Sequence, residues 1–217
     1  MYKINEVFYT LQGEGAHSGI PAVFVRFSGC NLRCPWCDTE FSEFTEMSAD
    51  EIVREALSLY DIPNERRKML VLTGGEPSLQ VDAPLIDALH QAGFYICIET
   101  NGTRPLPDGI DWITCSPKIV ESRKSKVESQ ITTLALHKVD EVKVVFTGTY
   151  DPEIWRSQLE AEHWLLQPLR YTGEWLLNNC DAFEDDRNDN LDDTVRYILS
   201  HPFWRLSVQL HKIVGLR

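Results

Sequence analysis

The sequence predicts an α/β fold: a partial, open (β/α) barrel, shortened and built on a mainly parallel sheet. Three observations predict it. Short β-rich runs alternate with segments of helical spacing, the pattern of βα units. Roughly seven such runs within 217 residues are too few, with too few intervening helices, for a regular eightfold barrel of ~250 residues. Polar, glycine-containing motifs also fall at the C-terminal ends of the runs, the rim on which barrels build their chemistry.

Each element has a local reason. Ala22–Phe27 (AVFVRF) reads as the first strand. Ser48 opens a helix through a capping box, Ser48-x-x-Glu51, followed by Ile52, Val53, Ala56, Leu57 and Tyr60 at helical spacing. A strand over Met69–Thr73 ends in the turn Gly74–Gly75. A helix across Val81–Gln91 stops at Gly93, a C-terminal cap, and the strand Phe94–Thr100 is broken by Asn101–Gly102. Further strands are expected at Trp112–Cys115, Glu141–Phe146, Trp164–Gln167 and Arg205–Leu210. Helices are expected over Asp151–Glu160, with Pro152 in the first turn, and over about Asp189–Ser200. No repeat and no Pro-, Gly- or Ser-rich linker divides the chain, so residues 1–217 are read as one domain. The acidic stretch Asp181–Asp193 reads as a solvated loop and helix N-terminus, without the glycine or spacing of an EF-hand.

Composition is that of a globular protein: 43% hydrophobic, 25% charged, mean hydropathy −0.26. Met1–Gly15 holds no apolar core of signal-peptide type, and no window approaches the ~18–20 apolar residues that cross a bilayer. A cytoplasmic protein is the expectation. Thirty-three Asp and Glu against twenty-one Lys and Arg give a net charge of −12. That sign repels phosphate backbones and anionic lipid, so nucleic acid and membrane are poor partners.

The six cysteines are unevenly placed. Cys97, Cys115 and Cys180 lie in or beside apolar segments and read as core. Cys30, Cys34 and Cys37 form C-x3-C-x2-C directly after the first strand, with Gly29 at the turn. Three thiolates that close can hold three corners of a cubane cluster and leave one iron open. Zinc is the competing ligand, but a structural zinc site takes four ligands and no fourth stands at a suitable spacing. C-x3-C-x2-C after the first strand is similar to the signature of the radical S-adenosylmethionine superfamily. Thr73-Gly74-Gly75-Glu76-Pro77 resembles that superfamily's GGEP turn, in which paired glycines allow close backbone approach and Glu76 offers an acceptor for the ligand ammonium. Glu99-Thr100-Asn101-Gly102-Thr103 and Ser116-Pro117-Lys118 resemble the next cofactor-facing segments. The resemblance implies a [4Fe-4S] cluster, with S-adenosylmethionine bound through Gly74, Gly75, Glu76, Glu99, Ser116, Pro117, Lys118 and Gln167.

Leu11-Gln12-Gly13-Glu14-Gly15, Cys37-Asp38-Thr39 and the terminus Gln209-Leu210-His211-Lys212 through Arg217 add a narrower resemblance, to the 7-carboxy-7-deazaguanine synthase family. It implies a ring-contracting carbon–nitrogen lyase converting 6-carboxy-5,6,7,8-tetrahydropterin to 7-carboxy-7-deazaguanine with loss of ammonia. It further implies substrate contacts from Leu11, Gln12, Gly13, Glu14, Arg26, Thr73, His211 and Arg217, with Arg26 on the substrate carboxylate. Thr39 would hold Mg2+; read without the resemblance, Thr39 is a loop-capping residue. A homodimer and a reducing partner such as flavodoxin or ferredoxin are implied too. A glycyl-radical enzyme activase shares the cysteine and GGEP features and stays open as the alternative, although it gives the LQGEG and terminal segments no role.

Overall fold

The structure, a computed structural model, describes every residue except 35, 36, 38, 40, 41, 61–67, 121–129, 170–189 and 217. Trp36, Arg66, Arg67, Cys180, the segment 170–175, most of the acidic stretch and Arg217 therefore lie outside the described residues. Among those described, no helix is long and apolar enough to cross a membrane.

The chain opens with β1 (Tyr2–Leu11), β2 (Pro21–Phe27) and β3 (Thr45–Met47). Then come α1 (Ala49–Leu59), β4 (Lys68–Gly74), α2 (Ala83–Gln91) and β5 (Phe94–Thr100). After β6 (Trp112–Cys115), β7 (Ile119–Val120) and β8 (Gln130–Ile131) form a small separate hairpin. The remainder is β9 (Glu141–Phe146), β10 (His163–Pro168), α3 (Leu191–Ser200), β11 (Arg205–Leu206) and α4 (Leu210–Ile213).

Nine strands make one open sheet in the order β11-β10-β9-β6-β5-β4-β2-β1-β3. From β2 to β11 every described pairing is parallel; only β1 runs antiparallel, to β2 and β3. The expected partial barrel is what forms, with β1 and β3 added on one edge. The residues of β1 mix Lys3, Asn5 and Glu6 with buried Tyr2, Ile4 and Phe8, so its pattern is too broken to read as a strand without its partner β2.

Period-two alternation assigns the faces. Val23, Val25, Leu70, Leu72, Ile96 and Ile98 face outward and pack with Ile52 and Ala56 of α1 and Leu85, Ile86 and Leu89 of α2. Val142, Val144, Trp164 and Leu166 do the same against Trp155 and Trp204. On the concave side Phe8, Ala22, Phe24, Met69, Val71 and Cys97 fill the floor. Strands buried on both faces read as the continuous apolar runs that made them legible.

Local signals hold where they are local. Ser48 caps α1 with both bonds of the capping box: its Oγ accepts from Glu51 N (3.3 Å), and Glu51 Oε2 accepts from Ser48 N (2.8 Å). Gly93, at φ 83°, ends α2. Asp82 caps α2 through Leu85 N (3.2 Å) and also accepts from the Tyr2 hydroxyl (2.6 Å), tying the helix to β1. Asp82→Ala should therefore cost about 1–2 kcal/mol and lower the melting temperature by roughly 2–6 °C, measured by calorimetry.

Two expectations change. Asp151–Glu160 is not an α-helix but a 3-10 stretch, Pro152–Ser157. Glu160 is drawn into pairing with the 137–139 segment (Glu160 N to His137 O, 2.7 Å; Val139 N to Glu160 O, 3.0 Å), which leaves too few residues for a helix. The last strand stops at Leu206 instead of Leu210: Ser207 N makes a final bond to β10 at Leu166 O (2.9 Å), and Leu210 N turns to Gly13 O (2.8 Å).

Candidate active site

The cysteine loop leaves the C-terminal end of β2, and the glycine turn leaves β4 beside it. Backbone bonds join them: Gly75 N donates to Phe27 O (3.0 Å) and Glu76 N to Gly29 O (2.9 Å). A Cβ on Gly75 would stand 2.1 Å from Gly29 O and 3.2 Å from Cys30 Cβ; one on Gly74 would stand 2.3 Å from Phe27 O. The glycine pair is thus required by the approach of the cysteine loop itself, not only by a ligand.

Glu76 is 1% exposed. Its carboxylate accepts from Thr100 Oγ1 (2.6 Å), Asn101 N (2.7 Å) and Ser78 N (3.0 Å). Of about four acceptor positions on a carboxylate, three are filled by the chain. Glu76 thereby pins the end of β5 to that of β4, and it lines the cavity with one acceptor position left for the expected ligand ammonium. Asn101 extends the tie, with Nδ2 donating to Asn31 Oδ1 (3.0 Å) inside the cysteine loop.

Cys30 and Cys34 are half-buried and Cys37 is exposed. Burial pushes the Cys30 thiol up, and Cys34 and Cys37 add to it; burial likewise raises Cys34, with Lys118 opposing. Among the described residues no three His, Cys, Asp or Glu side chains close on a single ion. A cubane asks instead for three sulfurs on three separate irons, and iron would relieve the charge that Cys30 and Cys34 resist carrying alone. Cys97 and Cys115 are core as expected; burial pushes Cys115 up to about 12 and Cys97 further, which leaves both unreactive.

Further round the concave face lies a second polar set. Alternation turns Thr73 of β4, Glu99 of β5 and Glu141 and Lys143 of β9 inward. Glu99 accepts from Gln12 Nε2 (3.0 Å), Thr73 Oγ1 (3.3 Å) and, at 3.6 Å, the Lys143 ammonium. Lys143 also pairs closely with Glu14, whose Oε1 accepts from Gln209 Nε2 (2.7 Å) and Gln167 Nε2 (3.5 Å). Burial alone would raise Glu14; the Lys143 ammonium and its hydrogen bonds more than reverse this, so its carboxyl titrates below the usual range. Burial likewise lowers Lys143, but Glu14 and Glu99 hold it above the ordinary lysine value. The LQGEG segment is fixed from both sides. Ala16 N donates to Glu141 Oε2 (2.6 Å), and a Cβ on Gly13 would stand 2.1 Å from His211 Nδ1.

One cavity of about 1210 Å3 joins the two sets and opens onto all three cysteines. It exceeds the ~300–1,000 Å3 of a single small-molecule site, so it has room for a nucleoside cofactor and a bicyclic ligand together. Leu11, Gln12, Gly13, Glu14, Arg26, Thr73 and His211 line it, as do Thr39, Gly74, Gly75, Glu76, Glu99, Ser116, Lys118 and Gln167. Pro117 is buried beside that rim. Lys118 Nζ donates to Ser116 Oγ (2.5 Å).

Two residues also make contacts within the protein. Arg26 Nε donates to Glu6 Oε1 (2.8 Å), its partner in the β1–β2 register, so one of its five N–H donors is taken within the protein. Glu99, expected toward the cofactor, lines the cavity and also accepts from Gln12 and Thr73. Lys143 and Glu141 were not singled out from the sequence. Their signal is the pattern Glu141-Val-Lys143-Val, two charges on one face of a strand in a sheet buried on both sides.

The family model described as the Radical SAM superfamily matches residues 24–127. A strand-end cysteine triplet, the glycine turn bracketed to it and an open parallel half-barrel define a radical S-adenosylmethionine enzyme, a class that carries a [4Fe-4S] cluster and S-adenosylmethionine. A 7-carboxy-7-deazaguanine synthase of Bacteroides thetaiotaomicron is 48% identical over the whole of both chains, and one of Nitratidesulfovibrio vulgaris is 39% identical over 99% of each. The crystal structure of QueE from Escherichia coli aligns over 97% of this chain and 94% of that one, with a TM-score of 0.70 and 25% identity. Within the radical class, this chain belongs to the 7-carboxy-7-deazaguanine synthase family. Nothing among these relatives favours the activase.

Proposed function

We propose that this protein converts 6-carboxy-5,6,7,8-tetrahydropterin to 7-carboxy-7-deazaguanine, releasing ammonia, on the path to queuosine or another deazapurine. One observation carries the reading. In a chain 48% identical end to end to a named synthase, the three cysteines and the Gln12–Glu14–Glu99–Lys143 wall share one cavity.

When bound, the cluster and S-adenosylmethionine supply a carbon-centred radical able to abstract hydrogen. The chain's own residues do the rest. Cys30, Cys34 and Cys37 hold the cluster; Gly74 and Gly75 with Ser116, Pro117, Lys118 and Gln167 border the cofactor's side. Gln12, Glu14, Thr73, Glu99 and His211 orient the pterin. The remaining donors of Arg26 hold its carboxylate as a fork, so that the reacting carbon stays fixed while the ring contracts. Thr39 supplies a hydroxyl oxygen of the kind Mg2+ takes. The reading treats residues 1–217 as one domain acting in the cytoplasm, as a homodimer reduced by flavodoxin or ferredoxin.

Anaerobic turnover with reductant, S-adenosylmethionine, Mg2+ and carboxytetrahydropterin tests it. Carboxydeazaguanine should accumulate with ammonia; 5′-deoxyadenosine without that product would show the substrate to be wrong. Thr39→Ala should raise the Mg2+ concentration needed for half-maximal turnover and leave the cluster's absorbance intact. Loss of that absorbance would give the residue another task.

A further inference from the structure

We infer that Lys143 is a positioning residue for the substrate: its ammonium holds Glu14 and Glu99 side by side as acceptors for the N–H donors of a flat aminopyrimidinone. The inference rests on the pterin reading above and goes beyond it by naming how the wall distinguishes its ligand.

The geometry sets an unusual balance. The Lys143 side chain is 7% exposed, that of Glu14 13% and that of Glu99 23%, and both carboxylates line the cavity. Glu141 stands two residues from Lys143 on the same face; burial raises its carboxyl above the usual range, with Lys143 and the Ala16 N–H opposing. The other charged or titratable groups acting on the cluster are Lys118, which acts on Lys143, and His211, which acts on Glu14. Cys97 lies within reach of Glu99. Close carboxylates in a desolvated pocket drive one of their number to take a proton unless a cation stands between them. Lys143 is that cation.

The donors already bound fix each carboxylate without filling it. Glu14 receives Gln209 and Gln167 on one oxygen and Lys143 on the other; Glu99 receives Gln12 on one and Thr73 on the other. A carboxylate has about four acceptor positions, so each keeps capacity for an incoming N–H. Gln167 Oε1 is buried beside the same wall and has no donor among the described residues. A wall of acceptors suits the adjacent ring N–H and exocyclic amine of a pterin. It repels a lumazine, whose carbonyl stands where the amine would be. If Glu14 were protonated, its O–H would oppose the amine and donate to the carbonyl, and the discrimination would vanish.

The test is equilibrium binding of 6-carboxypterin and 6-carboxylumazine to the cluster-loaded protein under argon with S-adenosylmethionine, at pH 8.5 and pH 6. The unaltered protein should prefer the pterin by roughly a hundredfold at both pH values. Lys143→Met should keep that preference at pH 8.5. At pH 6 its affinity for the pterin should fall about tenfold further than the parent's, and its preference should shrink toward unity. Lys143→Arg should restore selectivity at both pH values. Equal weakening of both ligands at both pH values, or unchanged selectivity at pH 6, would overturn the inference while leaving the substrate reading in place. If the unaltered protein binds neither ligand, the substrate reading itself fails. Should Lys143→Met not fold, Lys143→Met/Glu14→Gln removes the closest charge pair together. It should bind the pterin about tenfold more weakly than the parent, and full affinity there would overturn the role.

Discussion

Gly75→Ala is expected to strip this protein of its cluster without altering any of the three cysteines. The added Cβ would lie 2.1 Å from Gly29 O and 2.6 Å from Gly29 C, both backbone atoms with no flexible side chain to swing aside. Relief requires the turn after β4 to move away from the start of the cysteine loop. That motion breaks the bonds Gly75 N to Phe27 O and Glu76 N to Gly29 O, which hold the loop in place. Overpacking of this kind costs about 1–3 kcal/mol, and two lost backbone bonds add about 1 kcal/mol each. Anaerobically reconstituted Gly75→Ala should therefore contain little iron and sulfide. Gly29→Ala is the control one position before Cys30. Gly29 has φ 89° but nothing within 4 Å of a Cβ, so the change costs only the ~1–2 kcal/mol of a left-handed residue and should leave the cluster in place. Equal iron content in the two variants would mean that the bracket does not position the loop.

Glu76→Gln should lower the melting temperature of the cluster-free protein by roughly 6–12 °C, the effect of about 3 kcal/mol in a chain of this length. The amide can accept on one atom only. Whichever way it turns, an NH2 faces Asn101 N, or else faces both Ser78 N and Thr100 Oγ1, at a site 1% exposed. A buried donor is left unpaired in either case. If Glu76 instead served the cofactor's ammonium, the melting temperature would hold and only the affinity for S-adenosylmethionine would fall. Calorimetry and a binding measurement on the same sample separate the two.

Parts of this fold were readable because their causes are short in sequence. The capping box of α1 spans four residues, and the strands Phe94–Thr100, Trp112–Cys115 and Glu141–Phe146 form over the residues their patterns mark. The strand β1 was not readable, since Lys3, Asn5 and Glu6 interrupt it and its pairing with β2 and β3 makes it a strand. The helix expected after Asp151 was lost to a pairing with residues 137–139 that no local pattern announces.

The site divides in the same way. Cys30, Cys34 and Cys37 lie within eight residues, and Thr73 through Pro77 are contiguous. The chemistry of a cluster-bearing rim can therefore be read from the chain alone, because ligand spacing is itself the geometry. What the glycines face and what Glu76 binds needed the fold: the nearest atoms to Gly75 belong to Gly29, and the donors to Glu76 include Thr100 and Asn101. Lys143 is the clearest case. On its strand it is a charge out of place among apolar residues; its meaning comes from Glu14, 129 positions away. The sequence determined the half-barrel and the cysteine triplet proposed to hold the cluster, whose causes are local. Tertiary structure alone decided the polar wall opposite them, because a buried charge is stable only beside partners that distant segments bring to it.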